Sequence, residues 1–241
     1  MKLAARGLGV CAGRRVLLEG VDLAIATGEM VVVAGPSGSG KSVLLRSILG
    51  LLPFAPGLVH GEILVDGEVS PPPRLRGETV GIVAQDGRGS LDPLSTVGAL
   101  LRRVAALSPT PGAVDAALRR VGFDDPARVA ALYPHELSGG MAQRVAIAAA
   151  LARGSRFLLC DEPTTGLDPH VQVEILTLLR GLNDRGVVFV THDLDLVDGA
   201  CDSVLVLEEG RVVDRAPRPS ALAGAGRALW DATQSLRRRR A

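Results

Sequence analysis

A glycine-rich run with one lysine and a following serine has the residue types and spacing of a phosphate-binding loop. It follows the apolar segment Met30–Ala34 and precedes a helical pattern over Val43–Leu51, the strand–loop–helix setting that such a loop requires. Glycines let the backbone turn its N–H groups toward phosphate oxygens, and the helix N-terminus adds a favourable dipole. We therefore expect a bound nucleotide, with Lys41 at the β- and γ-phosphates and Ser42 on Mg²⁺. The phosphate loop consists of Gly35, Pro36, Ser37, Gly38, Ser39, Gly40, Lys41 and Ser42.

Two carboxylates, Asp161 and Glu162, directly follow a second apolar run, Phe157–Cys160. Such a pair can merely end a buried strand. Behind a phosphate loop it also suits metal and water chemistry, because one carboxylate can hold Mg²⁺, directly or through water, while the other polarises the attacking water. We predict the metal role for Asp161 and the catalytic role for Glu162.

The string Leu137-Ser138-Gly139-Gly140, with Gln143 and Arg144 after it, opens a helical pattern that continues to Ala152. Ser138 could be an ordinary helix N-cap with glycines in the turn. The same geometry presents N–H groups and the helix dipole to an anion. We call Ser138–Gly140 the signature turn and predict that it binds a γ-phosphate.

Two polar residues, Gln85 and His192, also end apolar segments, Thr79–Ala84 and Val187–Val190. Alone, each would be interpreted as a structural or solvated residue. Together with a phosphate loop and an acidic strand end, Gln85 is predicted to contact Mg²⁺ or the attacking water. His192 is predicted to donate to the γ-phosphate.

Composition limits the class of protein. The 241 residues can bury a full core, and no stretch approaches the roughly 20 uncharged apolar residues of a membrane span. The net charge of +1 gives no reason to expect nucleic acid as a partner. The cysteines, Cys11, Cys160 and Cys201, are scattered, which predicts a reducing compartment and no metal cluster.

Strands and helices alternate around the phosphate loop, which predicts an α/β core with a mostly parallel sheet. Short strands over Leu3–Val10, Val16–Leu18 and Val21–Ala26 are expected to form an antiparallel N-terminal subdomain. Residues 86–153 are expected to be an inserted helical lobe within one domain spanning 1–241. A surface loop is predicted at Pro71–Pro73 and a short helix beyond Pro217, ending in a run of arginines.

In their order, these motifs resemble the nucleotide-binding subunits of ATP-binding-cassette (ABC) transporters. Gly166-Leu167-Asp168 is similar to the family's dimer-contact loop and His192 to its switch histidine. The resemblance implies a P-loop NTPase core, ATP and Mg²⁺ as cofactors, and two cassettes that sandwich two ATPs. Each ATP would lie between one subunit's phosphate loop and the other's signature turn, with Asp168 near this junction.

The resemblance also implies membrane partners: two transmembrane permease subunits and, indirectly, an extracytoplasmic solute-binding protein. The chain would then sit on the cytoplasmic face of the cell membrane, powering import. A soluble ABC ATPase of a nucleic-acid or ribosome machine is the alternative. It is disfavoured because such proteins typically show two cassettes or long coiled-coil insertions.

A narrower resemblance, to the peptide/nickel importer subfamily, rests on Gln85-Asp86, Ser90-Leu91-Asp92-Pro93 and Tyr133-Pro134-His135-Glu136. It favours a paralogous second cassette over a second copy. The sequence lacks the cysteine-rich C-terminal segment of many peptide-transporting members, which favours nickel or metal chelates over peptides as the solute. Gly87 stands where that subfamily usually has proline, and Cys11 where the family usually has an aromatic residue that stacks on adenine.

Overall fold

The computed structural model describes residues 1–52, 57–107 and 113–238. Its strands are β1 (Lys2–Ala12), β2 (Arg15–Ala26), β3 (Met30–Ala34), β4 (Gly57–Val65), β5 (Glu68–Val69), β6 (Val80–Val83), β7 (Phe157–Asp161), β8 (Gly186–Thr191), β9 (Ser203–Glu208) and β10 (Arg211–Ala216). Its helices are α1 (Lys41–Ile48), α2 (Pro72–Leu75), α3 (Val97–Ala106), α4 (Ala113–Arg120), α5 (Pro126–Ala131), α6 (Gly139–Ala152), α7 (Pro169–Arg180), α8 (Leu194–Val197) and α9 (Gly224–Arg238).

A six-stranded sheet in the order β10-β9-β3-β8-β7-β6 forms the centre of the fold. All its neighbouring pairs are parallel except β10 with β9. Strands β3, β7 and β8 are buried along their whole length, as expected for a parallel sheet covered on both faces. Their carboxyl ends lie at one edge, where β7 ends at Asp161 and where the phosphate loop and His192 directly follow β3 and β8.

Side chains alternate between two hydrophobic cores because successive residues of a strand face opposite sides. In β3, Val32 packs into the core that also holds α6 and α7, while Val31 and Val33 pack into the core that holds α1 and the N-terminal strands. The central sheet is therefore fixed from both faces, which makes its carboxyl edge a rigid platform.

The N-terminal strands form a separate antiparallel sheet in the order β2-β1-β4-β5. The prediction of two strands over Val16–Leu18 and Val21–Ala26 is wrong, because β2 runs through both segments without a break. Gly20 adopts a positive φ of 61° where the β1–β2 register shifts between Leu8 and Val10, so the apparent turn is a bulge within one strand.

Helices α3 to α6 lie between β6 and β7 in the chain. The larger core contains four fully buried residues from this part of the chain: Leu101 of α3, Leu118 of α4, Val121 just after α4 and Val145 of α6. This confirms the predicted architecture: an α/β core with a mostly parallel sheet, an antiparallel N-terminal subdomain and an inserted helical subdomain.

Some local predictions differ from the structure. The expected surface loop at Pro71–Pro73 contains the start of a one-turn helix, α2. Proline is tolerated in the first helical turn, and the helix is anchored by Leu75, which is 2% exposed. Strand β10 and helix α8 were not predicted. The C-terminal arginine run lies partly outside the described residues. Over the three described ranges, no helix is long and apolar enough to cross a membrane.

Candidate functional site

The phosphate loop joins β3 to α1 and depends on glycine at two points. Gly35 has φ 152°, and a Cβ atom there would lie 2.1 Å from the carbonyl oxygen of Leu207. Gly40 has φ 105°, and a Cβ atom there would lie 3.0 Å from the carbonyl oxygen of Leu17. The backbone is thus wedged between β2 and β9, and only glycine fits both positions.

This loop suits a phosphate group. Gly40 begins α1 without a side-chain cap, which leaves the first N–H groups of the helix available to an anion. The Ser39 hydroxyl is buried and has no hydrogen-bond partner among the described residues. A phosphate would supply acceptors for donors that the protein leaves unpaired.

The ammonium group of Lys41 lies within the loop. Its Nζ donates to the carbonyl oxygens of Gly35 and Pro36, each at 2.9 Å. Burial lowers the pKa of Lys41, and the carboxylates of Glu162 and Asp161 oppose this shift. The cation is therefore close to both acidic residues that were predicted to share its site.

Ser42 and Asp161, the two predicted Mg²⁺ ligands, are in direct contact. The Ser42 hydroxyl donates to Oδ1 of Asp161 at 2.8 Å across 119 positions of sequence. Asp161 is only 8% exposed at the end of β7. A hydroxyl and a carboxylate oxygen side by side beside a phosphate loop match the hard oxygen ligands that Mg²⁺ takes.

Glu162 and His192 also lie together. His192 Nδ1 is 3.4 Å from Oε2 of Glu162, and the hydroxyl of Thr165 donates to the same oxygen at 2.9 Å. Glu162 has φ 48°, a left-handed conformation that a residue other than glycine adopts only at a cost. His192 and Thr165 thus hold this carboxylate directly after the end of β7.

The signature turn caps α6. Ser138 Oγ accepts from the N–H of Met141 at 3.2 Å, while Ser138 and Gly139 are exposed. At Gly140 a Cβ atom would lie 2.6 Å from Val171 of α7, so a side chain does not fit there. The start of this helix thus lies at the surface.

Gln85 lines a groove of about 670 Å³ together with Gly139 and Leu167. Among the described residues that line this groove, none belongs to the phosphate loop. Asp168 occupies the N-cap position of α7, is exposed, and makes no side-chain cap bond there. The groove also reaches Thr165, whose hydroxyl donates to Glu162, so Gln85 and the signature turn border the acidic end of β7.

Cys11 stands on the hairpin formed by β1 and β2. Cys11 is half-buried in β1 and pairs with Val16 of β2, whose neighbour Leu17 contacts the phosphate loop at Gly40. The β1–β2 hairpin therefore lies beside the loop, as expected for a surface that meets the nucleotide base.

Three residues with clear contacts at the site were not predicted from sequence. Thr165 holds Glu162, Arg88 donates to the carbonyl oxygen of Leu137, and Gln143 donates to that of Ala84. Thr165 could have been found from its position three residues after Glu162 in a turn. For Arg88 no sequence signal exists, because its partner is a backbone atom 49 positions away.

Known proteins share these features. Residues 18–165 match the ABC transporter family. A probable peptide ABC transporter ATP-binding protein, y4tR of Sinorhizobium fredii, is 41% identical over 218 residues, covering 83% of this chain and 64% of that protein. The nickel import ATP-binding protein NikD of Brucella suis is 36% identical over 212 residues, covering 85% of this chain and 81% of that protein.

A solved structure agrees with these relatives. An ATP-binding cassette, determined as a dimer in a post-hydrolysis state with ADP and Pi, has a TM-score of 0.72 and 30% identity, covering 89% of this chain and 98% of that one. The phosphate loop and the acidic strand end lie within the matched residues 18–165, as does the signature turn. This chain belongs to the ABC transporter family and carries its ATP-binding domain.

Proposed function

We propose that this chain is the ATP-hydrolysing subunit of an ABC importer, a single nucleotide-binding domain with its helical lobe at about residues 86–153. The observation that carries the proposal is the 2.8 Å contact between Ser42 and Asp161, with Lys41 and Glu162 beside it. The phosphate loop and the acidic end of β7, far apart in sequence, thus meet in space. The loop can bind the phosphates, while the acidic residues can hold the metal and polarise water.

In this proposal the residues divide the work. Lys41 and the loop N–H groups hold the β- and γ-phosphates. Ser42 and Asp161 hold Mg²⁺, with Gln85 as a further candidate ligand. The metal, when bound, neutralises charge that develops on the phosphates. Glu162 polarises the attacking water, and His192 donates to the γ-phosphate.

A second cassette completes the site. The signature turn lies at the surface, and none of the described residues that line its groove belongs to the phosphate loop. This supports the proposal that the turn binds a nucleotide held by another chain. The related cassette solved as a dimer with ADP and Pi supports the same arrangement. Asp168, next to this groove, is proposed to lie at the junction. The subfamily resemblance favours a paralogue as the second cassette.

Permease subunits are proposed to dock at the helical lobe, which would place the chain on the cytoplasmic face of the membrane. A groove of about 570 Å³ lies between β6, α3 and α6, lined by apolar residues that include Leu91, Leu100 and Val104. Leu94, just before α3, is 87% exposed. An apolar permease helix would cover this groove and the side chain of Leu94.

The docking surface can be tested by cross-linking. A photoactivatable probe on a cysteine at Leu94 should label the permease in the assembled complex. A cysteine at Ser235 on α9 serves as the matched control. Efficient labelling from Ser235 alone would contradict the proposed surface.

The proposed solute is nickel or another metal chelate, with peptides as the second candidate. Relatives of both kinds occur, NikD for nickel import and y4tR for peptides. Their roles in transport support import over the alternative of a nucleic-acid or ribosome machine. The expected partners are permeases and a solute-binding protein, and nucleic acid is not expected as a partner.

The test is hydrolysis and transport by the complex with its permeases. Mg²⁺-dependent phosphate release should rise with solute-loaded binding protein, and proteoliposomes should take up radioactive nickel or a labelled peptide. Phosphate release that is independent of permeases and stimulated by RNA would contradict the importer.

A further inference from the structure

Two hydrogen bonds join the segment after β6 to the start of α6. In one the donor side chain belongs to the helix, and in the other it belongs to the segment after β6. The side chain of Gln143, which is 2% exposed, donates from Nε2 to the carbonyl oxygen of Ala84 at 3.0 Å. The guanidinium group of Arg88 donates back to the carbonyl oxygen of Leu137. A buried amide from the helix and a cation from the loop thus form a two-point clasp.

Close packing between the two bonds strengthens the clasp. A Cβ atom at Gly87 would lie 2.4 Å from Oε1 of Gln143 and 2.8 Å from its Cα atom. Only a residue without a side chain allows this approach. The glycine that stands where the subfamily usually has proline thus lets the loop lie directly on the helix.

The loop that carries Arg88 is itself held by local hydrogen bonds. The N–H of Gly89 donates to Oδ1 of Asp86 at 2.9 Å, and the hydroxyl of Ser90 donates to the carbonyl oxygen of Gly87 at 2.7 Å. The N–H of Leu91 donates to the carbonyl oxygen of Arg88 at 3.1 Å. Arg88 is therefore presented from a fixed turn, although its side chain is exposed.

The position of the Leu137 carbonyl oxygen matters because a peptide group is planar. A donor that fixes this oxygen also fixes the direction of the Ser138 N–H group. Ser138 in turn accepts from Met141 through Oγ at 3.2 Å and from Ala142 through its carbonyl oxygen at 2.9 Å. The orientation of the Leu137–Ser138 peptide group thus determines the orientation of the first turn of α6.

We propose that Arg88 is a positioning residue for the signature turn, acting through the Leu137–Ser138 peptide with Gln143 as the second point of the clasp. The inference rests on the proposed function, in which the signature turn binds a phosphate held by a second cassette. Arg88 aligns the anion-binding N–H groups before that phosphate arrives. Arg88 itself bonds to the backbone of the chain that carries it and not to the nucleotide.

The first experiment measures positioning directly, without nucleotide. Amide hydrogen exchange of the isolated chain is compared for the unmodified protein, Arg88→Met, Arg88→Lys and the control Arg102→Met, which removes an exposed arginine from α3. A hydrogen bond from a charged donor stabilises by more than a neutral one, so Arg88→Met should exchange the Met141 and Ala142 amides about tenfold faster. Arg88→Lys should recover part of this protection, and Arg102→Met should match the unmodified chain.

The second experiment measures the consequence. In the complex with the second cassette and permeases, Arg88→Met should lower kcat and leave the KM for ATP unchanged, because the phosphate loop still binds the nucleotide. Amides of β3 should keep their exchange rates, which excludes general unfolding.

Unchanged exchange at Met141 and Ala142 in Arg88→Met would overturn the proposal, even if hydrolysis fell, since Arg88 would then act on the nucleotide itself. Equal loss of protection in Arg102→Met would overturn it as well. Failure of the unmodified chain to bind ATP would contradict the proposed function instead, and the exchange result would still decide the role of Arg88.

Discussion

Replacing Glu162 with glutamine should nearly abolish ATP hydrolysis while leaving ATP binding and folding intact. The amide has the same shape as the carboxylate, can still accept from the Thr165 hydroxyl, and meets the same steric demands at φ 48°. It loses the negative charge that polarises water beside Asp161. The structure therefore allows the chemical effect to be separated from the effect on stability.

The two effects differ in size. The Glu162–His192 pair spans 3.4 Å with side chains 21% and 60% exposed. Partly solvated pairs of this kind contribute at most about 1 kcal/mol, which shifts Tm by about 2–4 °C in a domain of this size. Loss of a positioned general base costs about 10²- to 10⁴-fold in rate. Hydrolysis should thus fall by at least about 100-fold in a protein that remains folded.

The assay is phosphate release by the assembled complex, with Mg-ATP affinity and Tm measured on the same preparations. Asp231→Asn is the matched control, because Asp231 pairs with Arg227 at 3.0 Å on the exposed surface of α9. Hydrolysis by Glu162→Gln close to that of the control, at equal ATP affinity, would refute the catalytic role of Glu162.

Three further predictions follow from the same geometry. Ser138→Arg should block hydrolysis in the complex but leave ATP binding to the isolated chain unchanged; a large loss in a nucleotide titration of the monomer would place Ser138 in its own chain's site. Gly87→Ala should destabilise the fold by about 1–3 kcal/mol in urea unfolding, because the new methyl group meets the backbone of α6. Gly9→Ala, whose nearest neighbours lie at 3.5 Å, should change stability less, and equal effects would contradict the clasp. Cys11→Tyr should tighten ATP binding by about fivefold to tenfold and raise the ATP/GTP preference, since a stacked base is worth about 1 kcal/mol at an exposed platform; an unchanged ratio of dissociation constants would remove Cys11 from the base site.

Much of this site was predictable because its residues follow buried strands. Parallel strands end at one edge of a sheet, so the apolar runs before Gly35, Asp161 and His192 predict that these residues converge. The contact between Ser42 and Asp161 and the pair of Glu162 with His192 agree with this logic. The start of α6 at Gly139 was predictable from the serine cap that precedes it.

Other features depend on tertiary contacts that leave no local pattern. Arg88 and Gln143 donate to backbone carbonyl groups, which every residue has, so no sequence pairing reveals them. The continuity of β2 through Gly20 depends on pairing with β1, and local turn preference suggested a break. Helix α2 depends on the burial of Leu75, which outweighs the preference of three prolines for a loop.

The most direct test of the central claim is an experimental structure of the Glu162→Gln protein with Mg-ATP and its second cassette. We predict phosphate oxygens within hydrogen-bonding distance of Lys41 Nζ, in place of the Gly35 and Pro36 carbonyl contacts. Mg²⁺ should lie on the Ser42 hydroxyl with Asp161 beside it, and a signature turn from the other chain should lie on the γ-phosphate. A nucleotide bound away from the phosphate loop, or a metal without Ser42 and Asp161, would contradict the account.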